Sequence, residues 1–218
     1  MTQLLKQPVA VIGIGCRFPG GLRSLDALWE ALSEGRDCLG TLPADRFDVA
    51  RYCHPDAAAP GVTYAPRAGI AGDVRSFDAP FWGLSEKEAE SLDPQQRMAL
   101  TMTWEAFEDA GIPPSKWSDS DTAVYIGSAS ADMGMLHADD LASTNPYTMT
   151  GTQLSIISNR ISYAFDFHGA SMTVDTACSS ALVALDMACR AVADGKVPAA
   201  VAGGVNVLLA PMGFVGFS

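Results

Sequence analysis

Between residues 171 and 209 the chain sets two short apolar runs on either side of a long helical pattern, and this order restricts the fold more than any other feature. SMTVD (171–175) is a short strand, TACSS (176–180) a turn of small residues, and ALVALDMACRAVADG (181–195) an apolar helix closed by Gly195. AAVAGGVNVLL (199–209) then returns as a second buried strand. A strand that passes through a helix into another buried strand makes a crossover, so the expected class is α/β, with a mainly parallel sheet covered by helices on both faces.

The rest of the chain fits that plan. PVAVIGI (8–14) reads as a buried strand, and AVYIG (123–127) as another. The pair Gly13 and Gly15 invites a dinucleotide-binding turn, but Phe18 stands where a third glycine is needed and no clean helix start follows, which excludes it. Leu25, Leu28, Trp29 and Leu32 lie on one helical face, with Ser24 as cap and Gly35 as stop. Residues 37–81 are rich in Pro, Asp, Gly and Ala without a sustained period, and read either as a functional excursion or as a surface insertion. Asp93-Pro94 places a capping acceptor before a proline suited to the first helical turn, and Leu100, Trp104 and Phe107 continue the stripe as far as Gly111. A further helix is expected over 153–165, with Ile157 and Ile161 facing inward.

Composition narrows the function. The chain has 218 residues, 48% of them hydrophobic and 18% charged, enough for one large packed domain and too apolar for disorder. Fourteen basic against 25 acidic residues leave a net charge of −11, which argues against a nucleic-acid partner. The charge is uneven: residues 1–75 hold 8 of the 14 basic groups and are electrically balanced, so an acidic partner would land there, with Arg17, Arg23, Arg36, Arg46 and Arg51 as the candidate face. Five cysteines, an odd set without a CxxC or Cys/His ligand spacing, argue against a disulfide framework and a structural zinc and suit a reducing, cytoplasmic setting. No leader is evident in residues 1–13, and no apolar run reaches the roughly 18 residues a membrane span needs.

One residue stands out chemically. Cys178 lies where a strand meets a helix, so the free N–H groups and dipole of the helix start favour a thiolate and offer donors to an oxyanion, while Thr176, Ala177, Ser179 and Ser180 leave room for a thioester carbonyl. From position alone the commoner reading is that of a small buried side chain, the usual role of a lone cysteine in an apolar segment. Cys189, in mid-helix beside Met187 and Ala188, reads as core. His54, His137 and His168 occupy loop-like settings without a distinctive role, and Asp175 is expected to orient backbone at the turn.

These residues carry a family resemblance. VAVIGIGCRFPGG, FDAPFWGLSEKEAESLDPQQRMALTMTWEAFEDAGI, NRISYAFD, and above all VDTACSSALVALDMA followed by AVAGGVNVLL resemble the N-terminal half of a β-ketoacyl synthase, specifically the ketosynthase domain of a type I polyketide synthase. The resemblance runs from about residue 8 to 218, with DTACSS and DPQQR as its specific signatures. It implies a thiolase-like fold of two similar halves, so that residues 1–218 read as the N-terminal domain of a truncated synthase whose second half is absent.

It implies further that Cys178 takes an acyl chain from the phosphopantetheine of an acyl carrier protein. A malonyl-type extender then loses carbon dioxide, and the carbanion attacks the acyl-cysteine in a decarboxylative Claisen condensation of polyketide or fatty-acid-like synthesis. Two histidines and a lysine that support these steps belong to the family's second half, so this chain alone is expected to be incomplete for condensation. No cofactor-binding residue and no metal ligand is implied, and a homodimer is, paired through the strand 171–175. Smaller departures from the family pattern are HGAS at 168–171, Ala181 in place of a serine, and AGIA at 68–71. A non-catalytic half that docks on a full-length synthase or carrier protein is the alternative reading, and a degradative thiolase a third, which DPQQR and DTACSS disfavour.

Overall fold

The computed structural model describes residues 7–56 and 59–218. From the N-terminus the chain forms α1 (Leu25–Ser33), β1 (Gly40–Thr41), α2 (Val49–Tyr52), β2 (Arg67–Ala68), α3 (Glu86–Ser91) and α4 (Pro94–Asp109). It continues through β3 (Ala123–Gly127), α5 (Asp132–Ala138), α6 (Thr148–Thr152), α7 (Ser155–Phe165), β4 (Ser171–Val174), α8 (Ser180–Ala193), β5 (Ala200–Gly204) and α9 (Met212–Gly216). β4, β3 and β5 form a parallel sheet in that order, with Val124 opposite Ser171 and Ala123 opposite Ala200.

β3 organises the core because its residues alternate between two covered faces. Val124 and Ile126 turn toward Ile157, Ile161 and Phe165 of α7 and Ala99 and Leu100 of α4. Ala123 and Tyr125 turn toward Ala184, Ala188 and Ala191 of α8, whose small side chains let the helix lie close to the sheet. Burying Ile157 and Ile161, both at most 1% exposed, contributes about 1.5–3 kcal/mol each. Beyond α7 the first face is extended by an aromatic cluster in which Trp82, Trp104, Phe107, Phe165 and Phe167 meet edge to face or in stacked pairs.

The local signals form as expected. Ser24 Oγ accepts from the Ala27 N–H at 3.2 Å, Asp93 Oδ1 from the Gln95 N–H at 2.8 Å, and Gly35, Gly111 and Gly195 end their helices with positive φ. Among its described residues, the irregular stretch 37–81 carries no strand or α-helix besides the two-residue ribbon of β1 and β2, which pair antiparallel, and the short α2. It folds back on the end of the described chain, where Phe47 packs on Phe214 and Thr63 Oγ1 lies 2.8 Å from Ser218 Oγ.

Three expectations change. Residues 8–14 are not a buried strand: no described strand pairs with them, and Val11, Ile12 and Ile14 are 70%, 58% and 42% exposed. Their glycines serve instead to bring the backbone against α4, since a Cβ on Gly13 would lie 2.1 Å from the Ala106 carbonyl oxygen and one on Gly15 2.2 Å from that of Met102. The strand expected over 199–209 is confined to β5, because the chain leaves the sheet after Val205 donates to the Gly127 carbonyl, and the Leu209 and Ala210 N–H groups are captured by Asp132 Oδ2 at 2.9 and 3.0 Å. The helix expected over 153–165 begins at Ser155, since Gln153 closes α6. α1 forms where its pattern places it, yet Leu25, Trp29 and Leu32 of its apolar face are exposed.

Candidate active site

In a parallel sheet the helix N-termini gather at the carboxyl ends of the strands, and groups that act on a ligand collect there. At this end β4 runs through Asp175 and Thr176 into a tight turn, Ala177–Ser179, that leads directly into α8. Cys178 sits in this turn with its side chain exposed, so the structure assigns it a surface position and not the small-core role that position alone left open. Cys189 is half-buried within α8.

The turn is held by a dense set of short bonds. Ala177 adopts φ +54, a left-handed conformation that a residue with a Cβ takes only where its surroundings demand it. Its N–H donates to Asp175 Oδ1 at 2.9 Å, so Asp175 orients backbone, as expected. The Ser180 hydroxyl donates to the Ala177 carbonyl at 2.7 Å and accepts from the Thr176 N–H at 2.9 Å. The Ser179 hydroxyl donates to the Thr176 carbonyl at 2.8 Å and lies 2.9 Å from the Thr176 hydroxyl. Small polar residues are therefore needed here for bonding as well as for space.

Glycines set the depth at which α8 begins. A Cβ on Gly127, at the end of β3, would lie 2.3 Å from the Ser180 carbonyl carbon, and one on Gly204, at the end of β5, 2.4 Å from the Ala181 Cβ. The first turn of α8 thus nests against the ends of both neighbouring strands, and Ala181 fills the space facing Gly204.

A buried polar network lies behind the same end of the sheet. Asp93, Gln95 and Gln96 are at most 2% exposed. Gln95 Nε2 donates to Asp93 Oδ2 at 3.1 Å and to the Ser130 carbonyl at 2.8 Å, and its Oε1 accepts from the Ser128 hydroxyl at 3.1 Å. Gln96 has a different set of partners, donating to the Thr150 and Gly151 carbonyls at 3.0 and 2.9 Å and accepting from Arg160 Nε at 2.8 Å, while Arg160 also pairs with Glu88. Burial raises the Asp93 carboxyl above its ordinary 3.8, an effect the Gln95 donors partly offset.

Among the described residues none of the three histidines is hydrogen-bonded to Cys178. His54 Nδ1 accepts from the Asp56 N–H at 3.0 Å, and His137 Nδ1 lies 3.1 Å from the Met133 carbonyl within α5. His168 precedes β4, at the opposite end of the strand from Cys178, with its Nε2 3.2 Å from Asp166 and 3.4 Å from Asp119. Asp119, Asp166 and His168 bring their ligand atoms within 4.8 Å of one another, a grouping that no Cys/His spacing in the sequence marks; all three are exposed.

The expected basic face is largely neutralised from within. Arg17 pairs with Glu105, Arg36 with Glu34 at 2.7 Å and Arg46 with Asp45 at 3.3 Å, while Arg51 lies over the Tyr52 ring at 5.2 Å. Arg23 has no partner among the described residues. No described helix is long and apolar enough to cross a membrane; the reading of a missing leader rests partly on residues 1–6, outside the described residues.

Three features of the site escaped the sequence reading. Gln95 stands within the DPQQR signature, but its partners Ser128 and Ser130 lie 33 and 35 positions away, the glycine ending AVYIG marks a close approach that its apolar run alone does not explain, and the conformation of Ala177 has no sequence signal.

Comparison with known proteins agrees with this architecture. Residues 6–218 match the family described as β-ketoacyl synthase, N-terminal domain. The chain is 47% identical over 210 residues to a lovastatin nonaketide synthase of Monascus pilosus, covering 96% of this chain and 7% of that protein. It is 45% identical over 207 residues to a mycocerosic acid synthase-like polyketide synthase of Mycobacterium tuberculosis, covering 95% of this chain and 10% of that protein. Among solved structures it superimposes on an oxazolomycin ketosynthase domain from Streptomyces albus JA3453 with a TM-score of 0.87 at 40% identity, covering 95% of this chain and 36% of that one. On a ketosynthase from module 6 of the bacillaene synthase of Bacillus subtilis the TM-score is 0.81 at 30% identity, covering 95% of this chain and 34% of that one. The chain therefore spans a tenth or less of these two curated relatives and about a third of the solved ketosynthases.

Proposed function

The chain belongs to the β-ketoacyl synthase family, as part of the N-terminal domain of a polyketide synthase ketosynthase with the thiolase-like α/β fold, and on that premise we propose that Cys178 is its acyl-accepting nucleophile. The observation that carries this reading is an exposed cysteine on an over-determined, left-handed turn at the carboxyl end of a parallel sheet. The Cys178 sulfur attacks the thioester carbonyl of an acyl chain on a carrier protein. The carbon–sulfur bond to the carrier breaks, the carrier thiol leaves with a proton, and the chain rests as a thioester on Cys178. A malonyl-type extender on a carrier then loses carbon dioxide, and the carbanion displaces the cysteine to give a β-ketoacyl product.

The described residues supply the nucleophile and its support. The N–H groups at the start of α8 offer donors to the oxyanion, while the donors that stabilise the enolate come, in this reading, from polypeptide outside residues 1–218, because His54, His137 and His168 all engage partners away from Cys178. An acyl carrier protein, a homodimer paired through β4 and a cytoplasmic setting follow as parts of the same reading. It is tested by incubating the intact protein with an acyl thioester and mapping the adduct by peptide mass spectrometry. The label is expected on Cys178 and lost in Cys178→Ala; a label on Cys189, or one that survives Cys178→Ala, overturns the assignment.

A further inference from the structure

We propose that Gln95 is a positioning residue for Cys178, acting through the loop that follows β3; this rests on Cys178 being the acylated nucleophile. The Gln95 amide is 2% exposed, and its oxygen and both of its protons are engaged by Ser128, Asp93 and Ser130. A fully paired buried amide is a rigid clamp, because any movement leaves a polar group in the core without a partner. The body to which it clamps is itself fixed: the Asp93 N–H donates to the Gly151 carbonyl at 2.8 Å, and Arg97 reaches back to the Leu92 carbonyl at 2.8 Å.

The gripped loop touches both strands that flank β3. The Ser128 N–H donates at 3.1 Å to the carbonyl of Val174, the last residue of β4 before the Cys178 turn, and the Ser130 hydroxyl reaches the Val207 carbonyl, after β5, at 3.4 Å. Gly127, one residue ahead of Ser128, presses on the backbone of Ser180. Gln95 is thus connected to the turn by one continuous line: its Oε1 to the Ser128 hydroxyl, the Ser128 N–H to the Val174 carbonyl, and then Asp175, whose carboxylate holds the Ala177 N–H. Without Gln95 the Ser128 hydroxyl and Ser130 carbonyl lose their buried partner and the loop must shift to find another. The left-handed Ala177, which persists only while its surroundings over-determine it, then has one constraint fewer, and Cys178 loses its aim.

Gln96 provides the contrast. It is equally buried and bonded, and it shares the Gly151 carbonyl with the Asp93 N–H, but none of its partners Thr150, Gly151 and Arg160 bonds to the loop after β3 or to the Cys178 turn. Replacing either glutamine by leucine costs stability; only the Gln95 replacement should cost chemistry. In the intact protein, Cys178 acylation by hexanoyl N-acetylcysteamine is followed by mass spectrometry across thioester concentrations, each rate normalised to the folded fraction. Gln95→Leu is expected to lower the saturating rate about tenfold or more with little change in the half-saturating concentration, and Gln96→Leu to leave the normalised rate within about twofold. Ser128→Ala, a milder change that remains informative if Gln95→Leu does not fold, is expected to reproduce much of the loss, and the double variant to be no slower than Gln95→Leu. Equal losses in the two glutamine variants, or a wild-type rate in Ser128→Ala, overturn the clamp. A wild-type protein that takes no acyl group on Cys178 refutes the nucleophile assignment, and this proposal with it.

Discussion

The close approach of β3 to α8 makes Gly127→Ala a quantitative test of how the site is built. The added methyl would sit 2.3 Å from the Ser180 carbonyl carbon, 2.4 Å from the Ala181 nitrogen and 2.6 Å from the Ser180 oxygen, all backbone, whereas ordinary contact begins at 3.4 Å. No side chain can swing aside, so the start of α8 must retreat by about 1 Å. Overpacking of this kind costs about 1–3 kcal/mol, and an obstacle made of helix backbone places the cost at the upper end, near 3 kcal/mol. The same displacement moves the turn that carries Cys178, and a misplacement of about 1 Å can slow a positioned reaction on the order of 100-fold. Urea denaturation of the intact protein measures the first effect, and thioester labelling of Cys178 per folded molecule the second. Gly213→Ala in α9 is the control, since no atom beyond its chain neighbours and its own helix backbone lies within 4 Å of its added methyl and its φ is not left-handed; it should be neutral or slightly stabilising. A Gly127→Ala protein within about 0.5 kcal/mol of wild type and acylated at the full rate would show that the helix start has slack, and would remove the tight nest from the account of the site.

Two further outcomes follow from other parts of the structure. Asp93→Asn keeps the acceptor for the Gln95 N–H but turns an amide toward Gln95 Nε2, a donor facing a donor, so it should destabilise by about 1–3 kcal/mol at pH 7 even though it removes a buried charge. Because burial raises the Asp93 carboxyl, the folded state holds that proton more tightly than the unfolded one; the stabilisation is present below 3.8 and lost as pH rises through the folded value, so the deficit of the variant relative to wild type should narrow as pH rises, and a widening gap in denaturation series would contradict this. For the proposed dimer, the Ala170 carbonyl bonds to Val124 of β3 and the Val174 carbonyl to Ser128 just after it, so the alternate residues Ser171 and Thr173 turn their backbone groups to the open edge. Thr173→Pro removes an outward donor and should shift the intact protein toward monomer or aggregate, while Thr173→Val, which loses only the bonds to Ser158, should not; a dimer unaltered by proline in light scattering takes β4 out of the interface.

What could be read in advance and what could not divides along physical lines. Ser24, Asp93-Pro94 and Gly195 act on backbone within a few residues, and each does what its sequence position implies. β3 was legible because five consecutive apolar or small residues suit only a strand covered on both faces. Residues 8–14 have the same composition, yet a strand exists only where another lies beside it, and no described strand does. The site divides in the same way. Small residues between a strand and a helix marked the Cys178 turn, but Gln95 finds Ser128 across 33 positions, and Asp132 finds Ala210 across 78, distances over which no local pattern speaks.

Strand direction also explains why the nearest histidine in sequence is not the partner of Cys178. Because β3, β4 and β5 all run the same way, the loops after them converge: 128–130 after β3, 175–179 after β4, and 205–210 after β5, bonded to one another through Val174, Val207 and Asp132. The loops before the strands converge at the other end, where His168 is closed in by Asp119 and Asp166 and the chain is tied to Ser120 and Thr122. A β-strand of four residues separates the two ends by roughly 13 Å, several times the reach of a proton transfer. His168 therefore cannot serve Cys178 without rebuilding β4, however close the two lie in sequence. Any acid, base or enolate donor that works with this cysteine has to approach from the carboxyl ends of the strands, over the loops that Gln95, Gly127 and Asp132 hold in place.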